Sequence, residues 1–68
     1  MRRREISLEG GLTPMMRARE AISALHGVVA AEPVTGRSAL RVWQSDDVSD
    51  EALLAAAGKS GARARIIR

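Results

Sequence analysis

The chain has 68 residues and a formal net charge of +3, and it contains one histidine and no cysteine. This composition excludes disulfides, thiol nucleophiles and cysteine-ligated metal sites, as well as a multi-histidine metal site within one chain. A chain of this length buries only about 60% of the surface that its unfolded form exposes, so we expect one small, marginally stable domain over residues 1–68. No apolar run approaches the ~20 residues that cross a bilayer, and the N-terminus lacks the apolar segment of a signal peptide. We therefore expect a cytoplasmic protein without membrane contact.

Residues 4–9 predict the first strand. Apolar Ile6 and Leu8 alternate with polar residues, which is typical of a strand with one buried face. Gly10 and Gly11 then interrupt the pattern, so we expect a tight connection into the next element.

A first helix is predicted after the two glycines. Thr13 is a good N-cap, Pro14 suits the first helical position, and Gly27 is a typical helix terminator. His26 would then lie at the C-terminal end, where its protonated form complements the helix dipole. The apolar residues recur at helical spacing and form one stripe for the core: Met15, Ala18, Ala21, Ile22 and Leu25.

Two further strands are predicted as a hairpin. Residues 28–34 form a strand in which Pro33 cannot donate to a ladder, so this strand is expected at an edge of the sheet. Residues 35–37 contain the glycine of a turn, and residues 38–44 form the third strand. Alternation on the third strand puts Leu40 and Val42 on one face and Arg41 and Trp43 on the other.

The last third of the chain predicts a second helix and a fourth strand. Ser49 is the expected N-cap, with Asp50 and Glu51 complementing the dipole, and Gly58 or Gly61 ends the helix before a strand over residues 62–67. The order βαββαβ predicts the ferredoxin-like α+β fold, a four-stranded antiparallel sheet. Right-handed crossovers put both helices on one face, and the other face stays open unless a partner covers it.

This order, together with several local sequences, resembles the heavy-metal-associated domain of copper chaperones and of the N-terminal tails of metal-pumping ATPases. The resemblance covers nearly the whole chain, through residues 6–10, 11–13, 21–28, 35–42, 48–57 and 61. It implies the ferredoxin-like fold and recognition of partner proteins through the loop and the first helix.

The chain departs from the family at the metal-binding loop. In the family, Gly-Met-Thr continues into Cys-x-x-Cys, and residues 11–13 are the counterpart of Gly-Met-Thr. The cysteine positions fall on Pro14 and Arg17 when counted from Gly11, and on Gly11 and Pro14 when counted back from Gly27. Neither register supplies a metal ligand, so the resemblance carries over the fold and not the thiolate site. No cofactor is expected on this basis.

Methionine offers an alternative route to soft-metal binding. Met15 and Met16 are in the first turn of the predicted helix, and thioethers are ligands that select Cu(I). Met15 continues the apolar stripe and is expected in the core, whereas Met16 points about 100° away around the helix. Met1 would add a second thioether if the N-terminal segment folded back, and ligands from a second chain at a dimer interface are the other source.

Two surfaces remain as candidate binding sites. The first is the loop, where Gly10, Gly11, Thr13 and Arg17 surround a helix N-terminus that can also attract anions. The second is the open sheet face, where Trp43 is expected to be exposed beside Arg41. Arg63 and Arg65 are on the same face or at its edge, depending on the register of the last strand. Tryptophan and arginine are enriched at interface hot spots, so a protein partner or a homodimer is favoured. Stacking of nucleic-acid bases on Trp43 is the alternative.

Catalysis is not expected. The acidic pairs at residues 46–47 and 50–51 lie where capping and dipole effects explain them, and no Ser/His/Asp-type set is brought together by spacing. The sequence thus favours a Cys-free heavy-metal-associated-like domain that works as a protein-interaction or regulatory module related to metal handling. Cu(I) binding or transfer through methionine and nucleic-acid binding are the alternatives.

Overall fold

The computed structural model describes all of residues 1–68 and confirms the ferredoxin-like βαββαβ fold. Its elements are β1 (Arg2–Glu9), α1 (Leu12–Ser23), β2 (Val28–Pro33), β3 (Ala39–Gln44), α2 (Asp50–Gly58) and β4 (Arg63–Ile66). The strands form one sheet in the order β2-β3-β1-β4, and every neighbouring pair is antiparallel. Neither helix has the length and the apolar character needed to cross a membrane.

The core lies between one face of the sheet and the two helices. Ile6 of β1 is paired with Leu40 of β3, and both are fully buried, as the alternation predicted. The helices contribute mostly small residues, with Ile22 and Leu53 as the only large buried side chains of α1 and α2. Alanines fill most of the remaining contact positions, and Met15 of α1 also packs against this core. The small side chains let the helices approach the sheet closely, with Ile22 and Leu53 as their main anchors.

The first helix begins two residues earlier than predicted. Gly11, with φ 89°, is the N-cap, no side chain caps the helix, and Leu12 is its first residue. The prediction that Thr13 is the cap and Pro14 the first helical residue was therefore wrong. Pro14 is compatible with both helix starts, as the first helical residue in the prediction and as the third in the structure. None of the first four N–H groups of a helix has an intrahelical acceptor, so proline costs no hydrogen bond in either case.

The end of α1 also differs from the prediction. The helix ends at Ser23, and Gly27, with φ 95°, belongs to a separate turn before β2. The Leu25 amide donates to the carbonyl of Ile22 (3.0 Å), three residues back rather than the four of an α-helix. This 3₁₀-type bond ends the helix before Gly27. His26 is therefore an exposed turn residue beyond the helix, not a residue of its last turn.

The first strand begins at Arg2, ahead of the predicted residue 4, and its first half carries an unexpected ionic cluster. Arg2 and Arg4 are on the helix-covered face, where both approach Asp50 Oδ1, at 3.5 and 3.1 Å. Arg2 also donates to the carbonyl of Val48 (2.7 Å), which accepts a second bond from the buried Gln44 side chain (3.0 Å). Asp50 thus ties β1 to the start of α2 in addition to its predicted role at the helix dipole.

The second strand is at an edge of the sheet, as Pro33 predicted. A bulge between Val28 and Ala30 leaves Val29 69% exposed. Arg19 of α1 donates from Nε to the carbonyl of Ala31 (2.7 Å) and so covers part of this edge. Edge strands expose unpaired backbone groups to other chains, and the bulge, the proline and this arginine all reduce that exposure.

The remaining turns and caps follow the sequence closely. Gly36, with φ 82°, makes the hairpin turn, and Ser49 caps α2 by accepting from the Ala52 amide (3.1 Å). The helix ends at Gly58. The strands β3 and β4 are shorter than the predicted ranges 38–44 and 62–67, although the Ile67 amide still donates to the carbonyl of Glu5 (2.9 Å).

Asp47 makes the stability of the domain depend on pH in the acid range. The Ser45 hydroxyl donates to Asp47 Oδ1, and this bond lowers the pKa of Asp47 below 3.8, with smaller contributions from its backbone hydrogen bond and from His26. A carboxyl group whose pKa is lowered by folding stabilises the fold above its unfolded pKa, and that contribution is lost as the pH falls through the folded pKa.

We expect Asp47→Asn to be less stable than the wild type near neutral pH and to approach it between about pH 5 and pH 2, because the wild type loses this hydrogen-bond advantage on protonation. Urea unfolding followed by Trp43 fluorescence at a series of pH values measures the difference. Glu32→Gln is the control, because Glu32 is exposed and takes part in no ion pair or side-chain hydrogen bond. A stability difference that stays constant across the acid range would contradict the assignment.

Candidate functional site

The connection from β1 to α1 forms an exposed surface around the start of the helix. We call it the loop–helix surface and define it by Gly10, Gly11, Leu12, Thr13, Met16 and Arg17, all of which are exposed. Both glycines have positive φ, 115° and 89°, and a Cβ on Gly10 would lie 3.2 Å from Cγ of Pro14. The backbone here can turn sharply into α1 because it carries no side chains at these two positions.

The centre of the loop–helix surface is apolar. Leu12 is 68% exposed and Met16 is 39% exposed, and they are one helical turn apart on the same side of α1. Sequence reasoning missed Leu12 because the predicted helix began after it. Its spacing of four residues from Met16 was the available signal. Met15 packs against the core cluster, as the apolar stripe predicted.

The charge of this surface is positive. No acidic residue lies in the first turn of α1, so the partial positive charge of the helix N-terminus is not compensated by a side chain of that turn. Arg17 is exposed and takes part in none of the chain's ion pairs. A shallow groove continues along α1 past Met16, between Arg19, Glu20 and Ser23. Apolar side chains and carboxylates of a partner would both be favoured here.

The structure does not bring the candidate metal ligands together. Met1 lies beside Asp46, with its amino nitrogen 3.9 Å from Oδ1, at the end of β1 opposite to the loop. The strand between them has eight residues, a span of roughly 25 Å, so Met1 does not meet the condition of folding back toward Met16. His26 lies in the turn beyond the far end of α1, and no three His, Asp or Glu side chains cluster in a way that could hold a metal ion.

The open face of the sheet is organised around a buried carboxylate. Glu5 is only 4% exposed, and its oxygens approach Arg37 Nη1 (3.0 Å) and Arg41 Nη2 (3.8 Å). The sequence pattern predicted a solvated residue at this position. Arg41 shares this one carboxylate with the closer Arg37, so the three side chains together keep one positive charge.

Trp43 is less available than predicted. It is half-buried, and its cross-strand neighbours are Arg3 and Ala30. Arg65 and Arg63 share the open face with it, but they are paired with Ser7 and Glu9 at the other end of β1. The step from Arg3 to Ser7 alone is roughly 13 Å along the strand. Trp43 and these two arginines therefore do not form one patch.

The fold is shared with several domains of known structure, among them a copper transporter domain and a copper-binding domain. The yeast copper transporter domain CCC2A, determined in the apo and Cu(I)-loaded states, has a TM-score of 0.87 and 16% identity over 100% of this chain and 97% of that one. A copper-binding domain from HMA7, a P-type ATPase, has a TM-score of 0.87 and 18% identity over 100% and 96% of the two chains. The N-terminal domain of PacS from Synechocystis has a TM-score of 0.81 and 20% identity over the full length of both.

At 16–20% sequence identity, the similarity to these structures shows a shared fold only. No family model and no curated protein matches the sequence.

Proposed function

We propose that this chain is a heavy-metal-associated-type domain without a thiolate site, and that it works as a non-catalytic protein-interaction module related to metal handling in the cytoplasm. The observation that carries the proposal is the loop–helix surface: in a fold shared with copper-binding domains, it presents exposed Leu12 and Met16 and no cysteine. Exposed apolar side chains at the start of α1 are costly to leave in water and favour burial against a partner.

The partner we propose is a copper-handling domain of the same fold, with acidic residues on its own docking surface. Arg17 and the N-terminus of α1 supply positive charge around the apolar centre. Opposite charge on the partner would raise the association rate and fix its orientation, while Leu12 and Met16 would supply the buried contact. Cys-containing copper-binding domains from the same organism are therefore the partners to test.

The test is an NMR titration of the 15N-labelled chain with each of those domains. We expect amide shift changes confined to residues 10–17, and Leu12→Ser or Arg17→Glu to weaken binding at least about tenfold, as loss of a hot-spot contact does. Arg68→Glu carries the same charge change as Arg17→Glu at the far end of the chain and should bind normally. Absence of binding to every such domain, or shifts on the open sheet face instead, would contradict the proposal.

Cu(I) is added in a second arm of the same titration. The alternative function, Cu(I) binding through Met16 and ligands from a second chain, is favoured by the exposed position of Met16 in the loop–helix surface. It predicts that the interaction needs Cu(I); Met16→Ala does not separate the two functions, because Met16 also belongs to the apolar centre of the loop–helix surface. The interaction proposed above does not need the metal. Nucleic-acid binding is less favoured, because Trp43 is half-buried and separated from Arg63 and Arg65, which leaves only Arg3 and Arg41 beside it.

A further inference from the structure

A hollow lies on the open face of the sheet, between the ends of β1 and β4. It has a volume of about 240 Å³ and is lined by Ser7, Glu9, Arg63, Ala64 and Arg65. It is separate from the loop–helix surface, since these side chains belong to two strands and none belongs to α1. Nothing in the proposed function uses it.

The two arginines of the hollow are without carboxylate partners. Arg63 and Arg65 are two residues apart on β4, so their side chains project from the same face of the sheet. Both are exposed. Neither takes part in an ion pair, although Glu9 is directly opposite Arg63 in the register. The nearby Glu5 is occupied by Arg37 and Arg41. The hollow therefore keeps a net positive charge, two guanidinium groups against one carboxylate.

Ser7 adds a hydroxyl group to the lining of the hollow. It is half-buried and directly opposite Arg65, and its hydroxyl forms none of the chain's side-chain hydrogen bonds. A partly desolvated hydroxyl without a protein partner is available to a ligand. Glu9 is paired with Arg63 across the two strands, whereas Arg65 is paired with Ser7. An anion therefore meets the least repulsion between Ser7 and Arg65.

We propose that this hollow binds the oxyanion group of a ligand, a phosphate or a carboxylate. The guanidinium of Arg65 would bind two oxygens side by side, Ser7 would donate a hydrogen bond, and Arg63 would add charge from the neighbouring cross-strand pair. Glu9 would accept from a hydroxyl or amide group next to the oxyanion. The site is independent of the loop–helix surface, so either one can fail while the other holds.

The experiment is a titration of the 15N-labelled chain with inorganic phosphate and, separately, with acetate, at constant ionic strength. We expect saturable amide shifts confined to residues 7–9 and 63–65. Tighter binding of phosphate would identify a phosphate group, and equal or tighter binding of acetate a carboxylate. Arg65→Gln should weaken binding at least about tenfold, the effect of losing a charge-assisted hydrogen bond, and Ser7→Ala should weaken it less.

Arg68→Gln is the matched control, because it removes the same charge from the end of the chain outside the hollow. It should leave the affinity within about twofold, since exposed charges at a distance are screened. The proposal is overturned if the shifts do not saturate, if they spread over all of the arginines, or if Arg68→Gln weakens binding as much as Arg65→Gln. Each of those results would mean that the anion follows bulk charge only.

Discussion

Ile22→Ala is expected to lower the free energy of unfolding by about 2–5 kcal/mol, which is the usual cost of removing a large aliphatic side chain from a core. Ile22 is fully buried, and the other fully buried residue of α1 is the small Ala18. Typical stabilities of about 0.05–0.15 kcal/mol per residue give a 68-residue domain only about 3–10 kcal/mol in total. The substitution should therefore remove at least about a fifth of the total stability, and up to all of it at the low end of this range.

Urea and thermal unfolding followed by circular dichroism measure this loss. Val29→Ala removes an aliphatic side chain that is 69% exposed and should change the stability by less than about 0.5 kcal/mol. If Ile22→Ala behaved like Val29→Ala, α1 would not be held by this anchor. The loop–helix surface would then lack the rigid support that a docking surface needs.

Gly27→Ala is expected to destabilise the domain by about 2–5 kcal/mol, for two reasons that add. The backbone has φ 95°, a conformation that costs a residue with a Cβ about 1–2 kcal/mol. The new Cβ would also lie 2.7 Å from both Ser45 Oγ and Val48 Cγ2, and overpacking of this kind costs a further ~1–3 kcal/mol. The turn cannot open easily, because the Ser45 amide donates to the carbonyl of Gly27 (2.8 Å).

Gly36→Ala separates the two contributions. Gly36 has a similar φ of 82°, but a Cβ there would meet no atom within 4 Å. It should show only the backbone cost of about 1–2 kcal/mol. Equal losses in the two variants, measured by urea unfolding, would show that the close approach of the turn to Ser45 and Val48 contributes nothing.

Short sequence patterns were sufficient to predict burial and strand position where these depend on neighbouring residues in the chain. Alternation placed Ile6, Leu8, Leu40 and Val42 in the core, and Pro33 placed β2 at the edge. Helix ends were less predictable. Gly11 rather than Thr13 begins α1, since the sequence pattern is compatible with both starts.

The candidate sites could be predicted only in part. The glycine loop and Met16 were found from the sequence, and the structure adds Leu12 to them as an exposed apolar neighbour. The position of Arg63 and Arg65 relative to Trp43 was left open by the sequence, and the register puts them at opposite ends of β1. A shared face follows from alternation within a strand, whereas position along the sheet depends on how strands pair.

The sequence by itself determined the order of the elements, the buried alternation of each central strand and the absence of a thiolate site, since these depend on residue type and short-range spacing. Only the tertiary structure decided which charged side chains are buried or form ion pairs. It buried Glu5 between Arg37 and Arg41, joined Arg4 to Asp50, and left Arg63 and Arg65 unpaired. The physical reason is that ion pairs between distant residues depend on strand register and helix placement, and a linear pattern of charges contains neither.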